Sequence, residues 1–533
     1  MIGLDEIRGT RARWVIGSPA DGRAPDLGGA QLPVYRVLGP GQNGFEEITA
    51  ILSLPYVQSF LKVGHAYGNF LSGRGQRAYP PCFFTGADDP RAGRGFQLLD
   101  RDGTTEVMPD VPYTLLTTHG NPFPALETES ILLHEYGHTM MNALLGAGYM
   151  HALGQPYTRM HLATTTTDYL TAYLEGWGIH FEPLTVDMSP TPGIEGFARF
   201  DASPVSHFVC RAERMARLVQ VPANGFIYQP VAARHLAGCP KPAAERLAYE
   251  ATHGVFDAGR LRSPQSMLSC EGVVASLFYR WLGDEATRNT YAAPEFYREF
   301  FPNGYRVERP KRPEALFTPL ENAYLKVGAA MYEAARVQAD LPPVVSLISS
   351  YGAMFPAEKE QVYRLFLENT AYVTASPSSR EIFAKLHSCG RLAQIPSLQS
   401  LMKEWQAMAR QTLQSALAGG PLRETLIPLV GPELWVVHPE VKVAAAYWLP
   451  APGSPLSFNL NTCMGEELMT VPGMTWDMAE RILAARDRLG LFESVCHLAS
   501  AAALPTRVAA ELERMRDAFA GEPPSYHFPG MAD

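Results

Sequence analysis

The segment ILLHEYGHTMMNALLG, residues 131–146, carries two histidines four positions apart, and a glutamate directly follows the first. A helix turns once every 3.6 residues, so His134 and His138 would project from one face, one turn apart. Imidazole nitrogens at that spacing can bind one Zn²⁺ at about 2.0–2.1 Å each. Glu135 would then point beside the metal, where a general base for an activated water belongs. The spacing therefore predicts a zinc site with hydrolytic chemistry.

Chance is the competing explanation, because H-E-x-x-H arises at random in roughly two chains per hundred at this histidine content. A third ligand would separate the two explanations, since catalytic zinc takes three protein ligands and leaves a fourth position for water. The segment TDYLTAYLEGWGIHFE, residues 167–182, has a helical pattern and supplies Glu175. Gly176 and Gly178 beside it predict close packing around that ligand. Gly137, between the two histidines, likewise predicts close approach by another element.

Two further residues of the same segment are weaker ligand candidates. Glu182 lies two turns beyond Glu175 on the same helical face, and His180 lies off that face. An ordinary amphipathic helix with a solvated glutamate remains the alternative for this segment taken alone. The pairing with HEYGH favours the metal site.

HEYGH followed by YLEGWGIHFE resembles the gluzincin zinc metallopeptidases, over roughly residues 110–185. The resemblance implies zinc as the cofactor and a peptide or protein as the substrate. It implies these roles: His134, His138 and Glu175 as metal ligands, and Glu135 as the base. It also implies an edge strand just before the metal-binding helix that pairs with extended substrate, and VPYTLLTT (111–118) has the right place for it.

A second donor to the developing oxyanion is expected, usually a Tyr or His. The candidates lie in or next to the stretch that connects the two helices, and for each of them a structural role is favoured over a catalytic one: Tyr149, Tyr157, His161 and Tyr169. Glu271 stands in an otherwise apolar helical segment, SMLSCEGVVASLFYRWL (266–282), where a buried carboxylate needs a partner. It would either orient a ligand histidine or form a cap or salt bridge within the core, and the core role is favoured.

GPGQNG, residues 39–44, fits the glycine-rich pattern G-x-G-x-x-G. A predicted strand (32–38) precedes it and a predicted helix (45–54) follows, as a dinucleotide site requires. Pro40 removes a backbone donor, and no acidic residue lies about 20 positions on to hold a ribose. A plain turn is therefore favoured over a phosphate-binding loop.

The segment from 457 to 499 resembles the helix-hairpin-helix domains of bacterial competence and DNA-repair proteins, through EELMTVPGM, AERILAARD and GLFESVCHL. Its hairpin, with Val471 and Gly473, could direct backbone N–H groups at a phosphate. The second hairpin, near 501–513, has no Gly. Between 457 and 518 six arginines oppose nine acidic residues, a net charge of −3, whereas a DNA-binding face is normally basic. Charge thus disfavours DNA and favours a protein partner or a structural role.

The composition of the chain does not indicate a particular class of binding partner. The chain is 46% apolar and 19% charged with a net charge of −9, which gives no general attraction to nucleic acid or to an anionic membrane. It shows neither a signal peptide nor an apolar run of about 20 residues that could span a bilayer. Its seven cysteines are far apart, odd in number and without a C-x-x-C pair, which predicts free thiols and a cytoplasmic location.

The patterns predict a mainly α fold with a small β portion (α+β), in which a gluzincin-like core precedes helical regions. The predicted divisions are a mixed α/β region at 1–110, the catalytic domain at 111–340, a helical region at 341–448, a linker at 449–457, the helix-hairpin-helix domain at 458–518 and a loose tail at 519–533. Because the proline-rich linker separates the last domain, we expect its removal to leave the zinc site intact.

The leading hypothesis is a zinc-dependent hydrolase, in particular a metallopeptidase with Glu135 as general base. Two alternatives stay open: a DNA- or protein-associated scaffold whose metal site is structural, and a metal hydrolase that acts on a non-peptide amide. An open coordination position distinguishes the enzymes from the scaffold, since a structural site would have four protein ligands.

Overall fold

A computed structural model of the chain describes most of the segments that matter for the site. The described residues are 14–20, 32–76, 79–86, 90–117, 125–153, 167–191, 228–230, 256–261, 267–301, 313–337, 342–370, 434–438, 449–450, 456–489, 491–519, 521 and 525–527, with scattered positions between 400 and 423.

The described chain is mainly helical with a small strand portion, which confirms the predicted fold class. The helices are α1 (Phe45–Leu52), α2 (Pro55–Ser72), α3 (Ala125–Leu153), α4 (Tyr169–Ile179), α5 (Phe181–Met188), α6 (Glu271–Gly283), α7 (Glu285–Asn289), α8 (Pro294–Arg298), α9 (Pro319–Val337), α10 (Pro343–Met354), α11 (Lys359–Thr370), α12 (Gly465–Leu468), α13 (Trp476–Leu489), α14 (Val495–Ala501) and α15 (Thr506–Asp517). The strands are β1 (Val15–Pro19), β2 (Val34–Val37), β3 (Cys82–Gly86), β4 (Arg91–Leu99), β5 (Thr105–Thr117), β6 (Tyr228–Pro230), β7 (Phe256–Leu261), β8 (Leu422–Arg423), β9 (Trp435–His438), β10 (Leu449–Pro450), β11 (Leu456–Asn459) and β12 (Ser525–His527).

Tertiary contacts divide the chain into two compact units. The first contains Met1–Gly154, Trp177–Ala202 and Phe278–Ala335, and the second contains Gln155–Gly176, Ser203–Leu277 and Arg336–Asp533. Three of the boundaries between these units fall inside continuous helices, namely α4, α6 and α9.

A closed five-stranded barrel with the strand order β1-β2-β4-β5-β3 forms the β part of the first unit. Its interior is aromatic: Tyr35 stacks on Phe84 at 3.9 Å, and Phe96 packs edge-on against Phe84 at 4.9 Å. Gly93 is required beside this core, because a β-carbon there would meet the Tyr113 ring at 2.2 Å. Strand β5 also crosses the domain boundary predicted at residues 110–111, since its pairing with β3 and β4 holds residues 111–117 in the barrel.

Helix α3 follows the barrel in sequence and packs against it and against α2. Its apolar side chains are buried, among them Leu132, Leu133 and Met141. Thr139 joins α3 to strand β5, because its hydroxyl lies 2.8 Å from that of Thr114. Gly146 interrupts the helical conformation with φ 77° and ψ 157°, a backbone geometry that glycine adopts at little steric cost.

The second unit includes the first part of α4, the first part of α6, helices α10 and α11, and the C-terminal helices. Gly176 of α4 packs on Val274 of α6, where a β-carbon on the glycine would lie 2.7 Å from the valine side chain. Asn369 of α11 donates a hydrogen bond to the carbonyl oxygen of Val273 at 2.6 Å. The C-terminal helices α12 to α15 enclose their own apolar core, which includes Leu468, Ile482, Phe492, Leu498, Leu512 and Met515.

The predicted linker and tail both contain strand residues. Strand β10 lies at the start of the predicted linker, and β11 begins within its last residues and pairs with β9. Strand β12, in the predicted loose tail, is the middle strand of a sheet with the order β10-β12-β8. Proline and glycine content predicted these segments as irregular, whereas pairing with strands distant in sequence gives them structure. Among the described helices, none has the length and hydropathy that crossing a membrane requires.

Candidate metal centre

Helix α3 and the α4–α5 segment pack closely at Gly137. The indole N–H of Trp177 donates to the carbonyl oxygen of Gly137 at 2.9 Å. The Phe181 ring covers the same glycine, so that a β-carbon there would lie 2.4 Å from the ring. The prediction that another element approaches Gly137 is thereby confirmed.

The two histidines of α3 turn their Nε2 atoms towards each other, 3.1 Å apart, and both residues are half-buried. Gly178 faces this pair, since a β-carbon on it would lie 2.5 Å from Nε2 of His138 and 2.8 Å from Nε2 of His134. His134 presents its other nitrogen, Nδ1, to Oε1 of Glu182 at 2.8 Å. Because His138 faces Gly178 while His134 faces Glu182, the two chain segments run in opposite directions here.

Glu175 lies three residues before Gly178 on the continuous helix α4, one turn away and on the same face. Ligand atoms of Glu175, His134 and His138 all lie within 4.8 Å of one another, and the three residues are half-buried. Two imidazoles and one carboxylate are a donor set that suits zinc, and three protein ligands leave room for water. The residues fit a catalytic zinc ion, and among the described residues this is the group of His, Cys, Asp and Glu found close enough to hold a metal.

Glu182 has a role that the sequence did not reveal. It was predicted as a weaker ligand, but its carboxylate accepts from Nδ1–H of His134, while the Nε2 atom of that ring faces Nε2 of His138. A carboxylate behind a ligand histidine fixes the ring and its tautomer, and such partners are common around zinc. Its position two turns from Glu175 was the available signal, and only the direction of the side chain separates ligand from partner.

Glu135 follows His134 directly and is half-buried. The carbonyl oxygen of Glu135 accepts from the Thr139 hydroxyl at 3.0 Å, and Thr139 in turn contacts Thr114 of the barrel. The backbone on which the predicted base stands is therefore tied to strand β5. Its role as base remains a prediction.

His180 belongs to the core. Its Nδ1–H donates to the carbonyl oxygen of Trp177, and its Nε2 accepts from the Tyr324 hydroxyl at 2.7 Å. Burial lowers the pKa of His180 to about 3, and the nearby His134 and His138 add to this effect. The neutral ring thus joins the α4–α5 junction to α9 and is not available as a ligand.

The structure describes only some of the predicted oxyanion donors. Tyr157 and His161 lie outside the described residues, and of Tyr149 only the helical backbone is described. Tyr169 is the first residue of α4, with a buried ring. Glu271 is the first residue of α6 and is also buried, one turn before the Val274 that packs on Gly176. A role for any of them in catalysis stays a prediction.

Strand β5 is not the edge strand that the resemblance implies. Thr114 and Leu115 pair with Phe83 and Phe84 of β3 on one side, and residues 112–115 pair with β4 on the other. Barrel closure is the physical reason, because it pairs both edges of the strand. An extended substrate therefore cannot add to this part of β5.

GPGQNG forms a turn between β2 and α1, as favoured. The backbone N–H of Gly39 donates to Oε1 of Gln42, and that of Gly41 donates to Oε1 of Glu46, both at 2.5 Å. Gly41 and Gly44 take positive φ angles, 81° and 85°. Side chains of the chain itself thus occupy two of the amides that a phosphate would need, within a barrel rather than a doubly wound sheet.

The hairpin at 471–474 joins α12 to α13. The N–H of Met474 donates to the carbonyl oxygen of Val471 at 3.0 Å, and Gly473 has φ 80°. Pro472 and Gly473 thus occupy the central positions of a type II turn. Val471 has a buried side chain and Gly473 is exposed, so only the backbone here could meet a phosphate.

Most arginines near this hairpin are engaged within the motif. Arg481 pairs with Asp477, Arg514 with Glu511, and Arg516 with Glu513 and Asp517. Arg486 is buried and donates to the carbonyl oxygen of Cys463 at 2.6 Å. Acidic side chains within the motif therefore balance the charge of three of its arginines.

The motif is not isolated from the helix that carries Glu175. The carboxylate of Glu466, in α12, accepts a hydrogen bond from the backbone N–H of Tyr169 at 3.0 Å. This contact contradicts the expectation that the proline-rich segment separates the motif from the remainder of the chain. Residues 297 positions apart cannot be paired from local sequence signals.

Comparison with protein families matches residues 457–515 to the helix-hairpin-helix motif. This confirms that the C-terminal sequence contains a helix-hairpin-helix motif, and such motifs serve contacts with nucleic acid or protein. The match does not reach residues 110–185, so the metallopeptidase resemblance stays a prediction. Comparison with curated proteins and with solved structures finds no match.

Proposed function

We propose that the chain is a zinc-dependent hydrolase of amide bonds, with His134, His138 and Glu175 as ligands. The observation that carries the proposal is the convergence of their ligand atoms within 4.8 Å. The contact of Glu182 with Nδ1 of His134 and the bare α-carbon of Gly178 support it, because one orients a ligand and the other leaves space beside it.

Each residue then has a distinct task. A bound zinc ion would supply Lewis-acid chemistry, which lowers the pKa of a water towards about 7 and polarises a carbonyl. Glu135 would accept the proton of the attacking water and pass it to the leaving nitrogen. Glu182 would hold the His134 ring in the orientation and tautomer that present Nε2 to the metal, and would raise the basicity of this ligand.

A peptide is the first candidate substrate, on the strength of the HEYGH and EGWG resemblance. A non-peptide amide is the second, and the pairing of β5 on both sides favours it, because a peptide would need another strand for backbone recognition. Hydrolysis of quenched peptide libraries, set beside a panel of small N-acyl amides, distinguishes the two classes.

Metal content tests the proposal itself. The purified chain is expected to bind about one zinc, and His138→Ala and Glu175→Ala are expected to lose it, since three ligands are the usual minimum for a catalytic site. His497→Ala is the matched control, because His497 lies in the C-terminal motif. Zinc retained at full stoichiometry by His138→Ala would reject the ligand assignment, and a fourth protein ligand would favour a structural site.

We propose that the helix-hairpin-helix motif binds a protein rather than duplex DNA, because most of its arginines are engaged within the motif and its net charge is negative. Titration of labelled duplex with the full chain at two salt concentrations tests this, since log affinity falls with log salt by about 0.9 per phosphate neutralised. Submicromolar affinity with a steep salt dependence would overturn the assignment and favour action on DNA-bound proteins.

A further inference from the structure

Two carboxylates meet at the N-terminal end of helix α4, and they come from distant parts of the chain. Asp168 caps the helix: Oδ1 accepts from the Thr171 N–H at 2.7 Å, and Oδ2 accepts from the Thr171 hydroxyl at 2.5 Å. Glu466 accepts from the N–H of Tyr169, the first helical residue. Together they satisfy amides that helix geometry leaves without an intrahelical partner.

Glu466 differs from its neighbour Glu467 in what it holds. Oε2 of Glu467 accepts from the N–H of Met464 and so caps its own helix, α12. Glu466 is instead directed away from its motif, and its Oε2 atom is shielded from solvent without a hydrogen-bond donor among the described residues. Burying a carboxyl group costs free energy. Glu466 is buried at a contact with Tyr169, which lies outside the motif, so we infer that this contact does not serve the folding of the motif alone.

The surroundings of the Glu466 carboxyl group favour its neutral, protonated form. Burial raises the pKa of Glu466 to about 8, and the negative charge of Asp168 contributes in the same direction. The carboxyl is therefore mainly protonated at neutral pH, which relieves the repulsion between two acids at one helix end.

Glu175 lies six residues beyond Tyr169 on this helix, a distance of about 9 Å along its axis. A shift at the helix start would displace Glu175, because both residues belong to the same continuous, hydrogen-bonded helix. The same helix start is held from another side, where the N–H of Thr167 donates to the carbonyl oxygen of Ser269 at 2.8 Å.

We propose that Glu466 is a positioning residue for Glu175, so that the helix-hairpin-helix motif is a structural part of the metal site. The inference rests on the proposed function for its consequence, the placement of a ligand. Its structural premise is that Glu466 stabilises the start of helix α4, and this can be measured without any metal.

The test uses the full chain with Glu466→Ala, the isosteric Glu466→Gln, and Glu493→Gln as the control, an exposed acid of the same motif. Hydrogen exchange of the peptide covering residues 169–179 reports on the helix. Zinc affinity, with the visible spectrum of the cobalt(II)-substituted chain, reports on ligand geometry.

We expect Glu466→Ala to speed exchange in this peptide and to weaken zinc about tenfold or more. Glu466→Gln should restore both, because its amide oxygen can still accept from Tyr169, and Glu493→Gln should change neither. Faster exchange with unchanged zinc affinity and cobalt spectrum would overturn the positioning role, as would unchanged exchange. A wild-type chain that binds no zinc would overturn the proposed function. The exchange rates would then show only whether Glu466 stabilises helix α4.

Discussion

The α-carbon of Gly178 faces Nε2 of His138 so closely that a β-carbon on the glycine would lie 2.5 Å from that atom. The contact is with the far end of a side chain, so the imidazole can swing away more easily than the backbone can move. The space beside the histidines thus depends on the absence of a single methyl group.

Gly178→Ala should therefore separate metal binding from folding. We expect zinc affinity to fall about tenfold or more as the rings are displaced, while Ala contributes about 1 kcal/mol of helix propensity to stability. Isothermal titration and thermal denaturation measure the two effects. Gly283→Ala is the control, because a β-carbon there meets no atom within 4 Å. Equal zinc affinity in the two variants would exclude the proposed crowding.

Glu182→Ala should weaken zinc about 10–100-fold, because the His134 ring loses the carboxylate that orients it. Glu182→Gln should lie between the wild type and Glu182→Ala, since the amide oxygen still accepts from Nδ1–H but carries no charge. Competition with a chromophoric chelator gives the affinities. Complete loss of metal in both variants would indicate instead that Glu182 is a direct ligand.

Glu135→Gln should keep the metal and lose the activity. The amide retains the shape of the side chain but cannot accept a proton, so we expect hydrolysis to fall about 10²–10⁴-fold. Zinc content and turnover on a substrate from the library screen are measured on the same preparation. Undiminished turnover would reject Glu135 as the base, and lost zinc would make it a ligand.

Glu466 should make stability fall as pH rises from about 4.5 to about 8. Its pKa is raised in the folded chain, so over this range the folded state keeps a proton that the unfolded state has lost. The groups acting on it are Asp168 and Glu467, which raise the pKa, and the N–H groups of Tyr169 and of Glu466 itself, which lower it. The difference in melting temperature between Glu466→Gln and the wild type should grow with pH. A constant difference from pH 5 to pH 9 would contradict the protonated state.

Ala503→Gly should stabilise the chain by about 1 kcal/mol, because Ala503 has φ 48°, in a left-handed region that glycine adopts without strain. The helix α14 ends there in a Schellman motif, with the Leu504 N–H bonded to the Ala499 carbonyl at 2.9 Å. Thermal denaturation measures the gain. Ala499→Gly, inside the helix, should cost a similar amount, and a loss of stability in both variants would reject the strain.

Local sequence determined the elements. The histidine spacing in HEYGH fits helix α3, residues 32–38 were predicted as a strand and contain β2, and the strand before the metal-binding helix was predicted as well, though not as part of a closed barrel. Helical spacing alone placed His134 and His138 on one face, and the EGWG stretch identified Glu175. The glycine at 137 indicated close packing, which Phe181 provides. These are features that the chain settles within a few residues through its backbone periodicity.

Tertiary structure decided what depends on direction and on distant partners. Whether Glu182 ligates a metal or orients His134 is set by where its side chain points, and no spacing contains that information. Strand β5 is paired on both sides at Thr114 and Leu115, because closure of the barrel brings β3 to one edge of the strand and β4 to the other. Glu466 accepts a hydrogen bond from the first residue of α4 across nearly three hundred residues, and the composition of the intervening segment, which is typical of a linker, gives no sign of it.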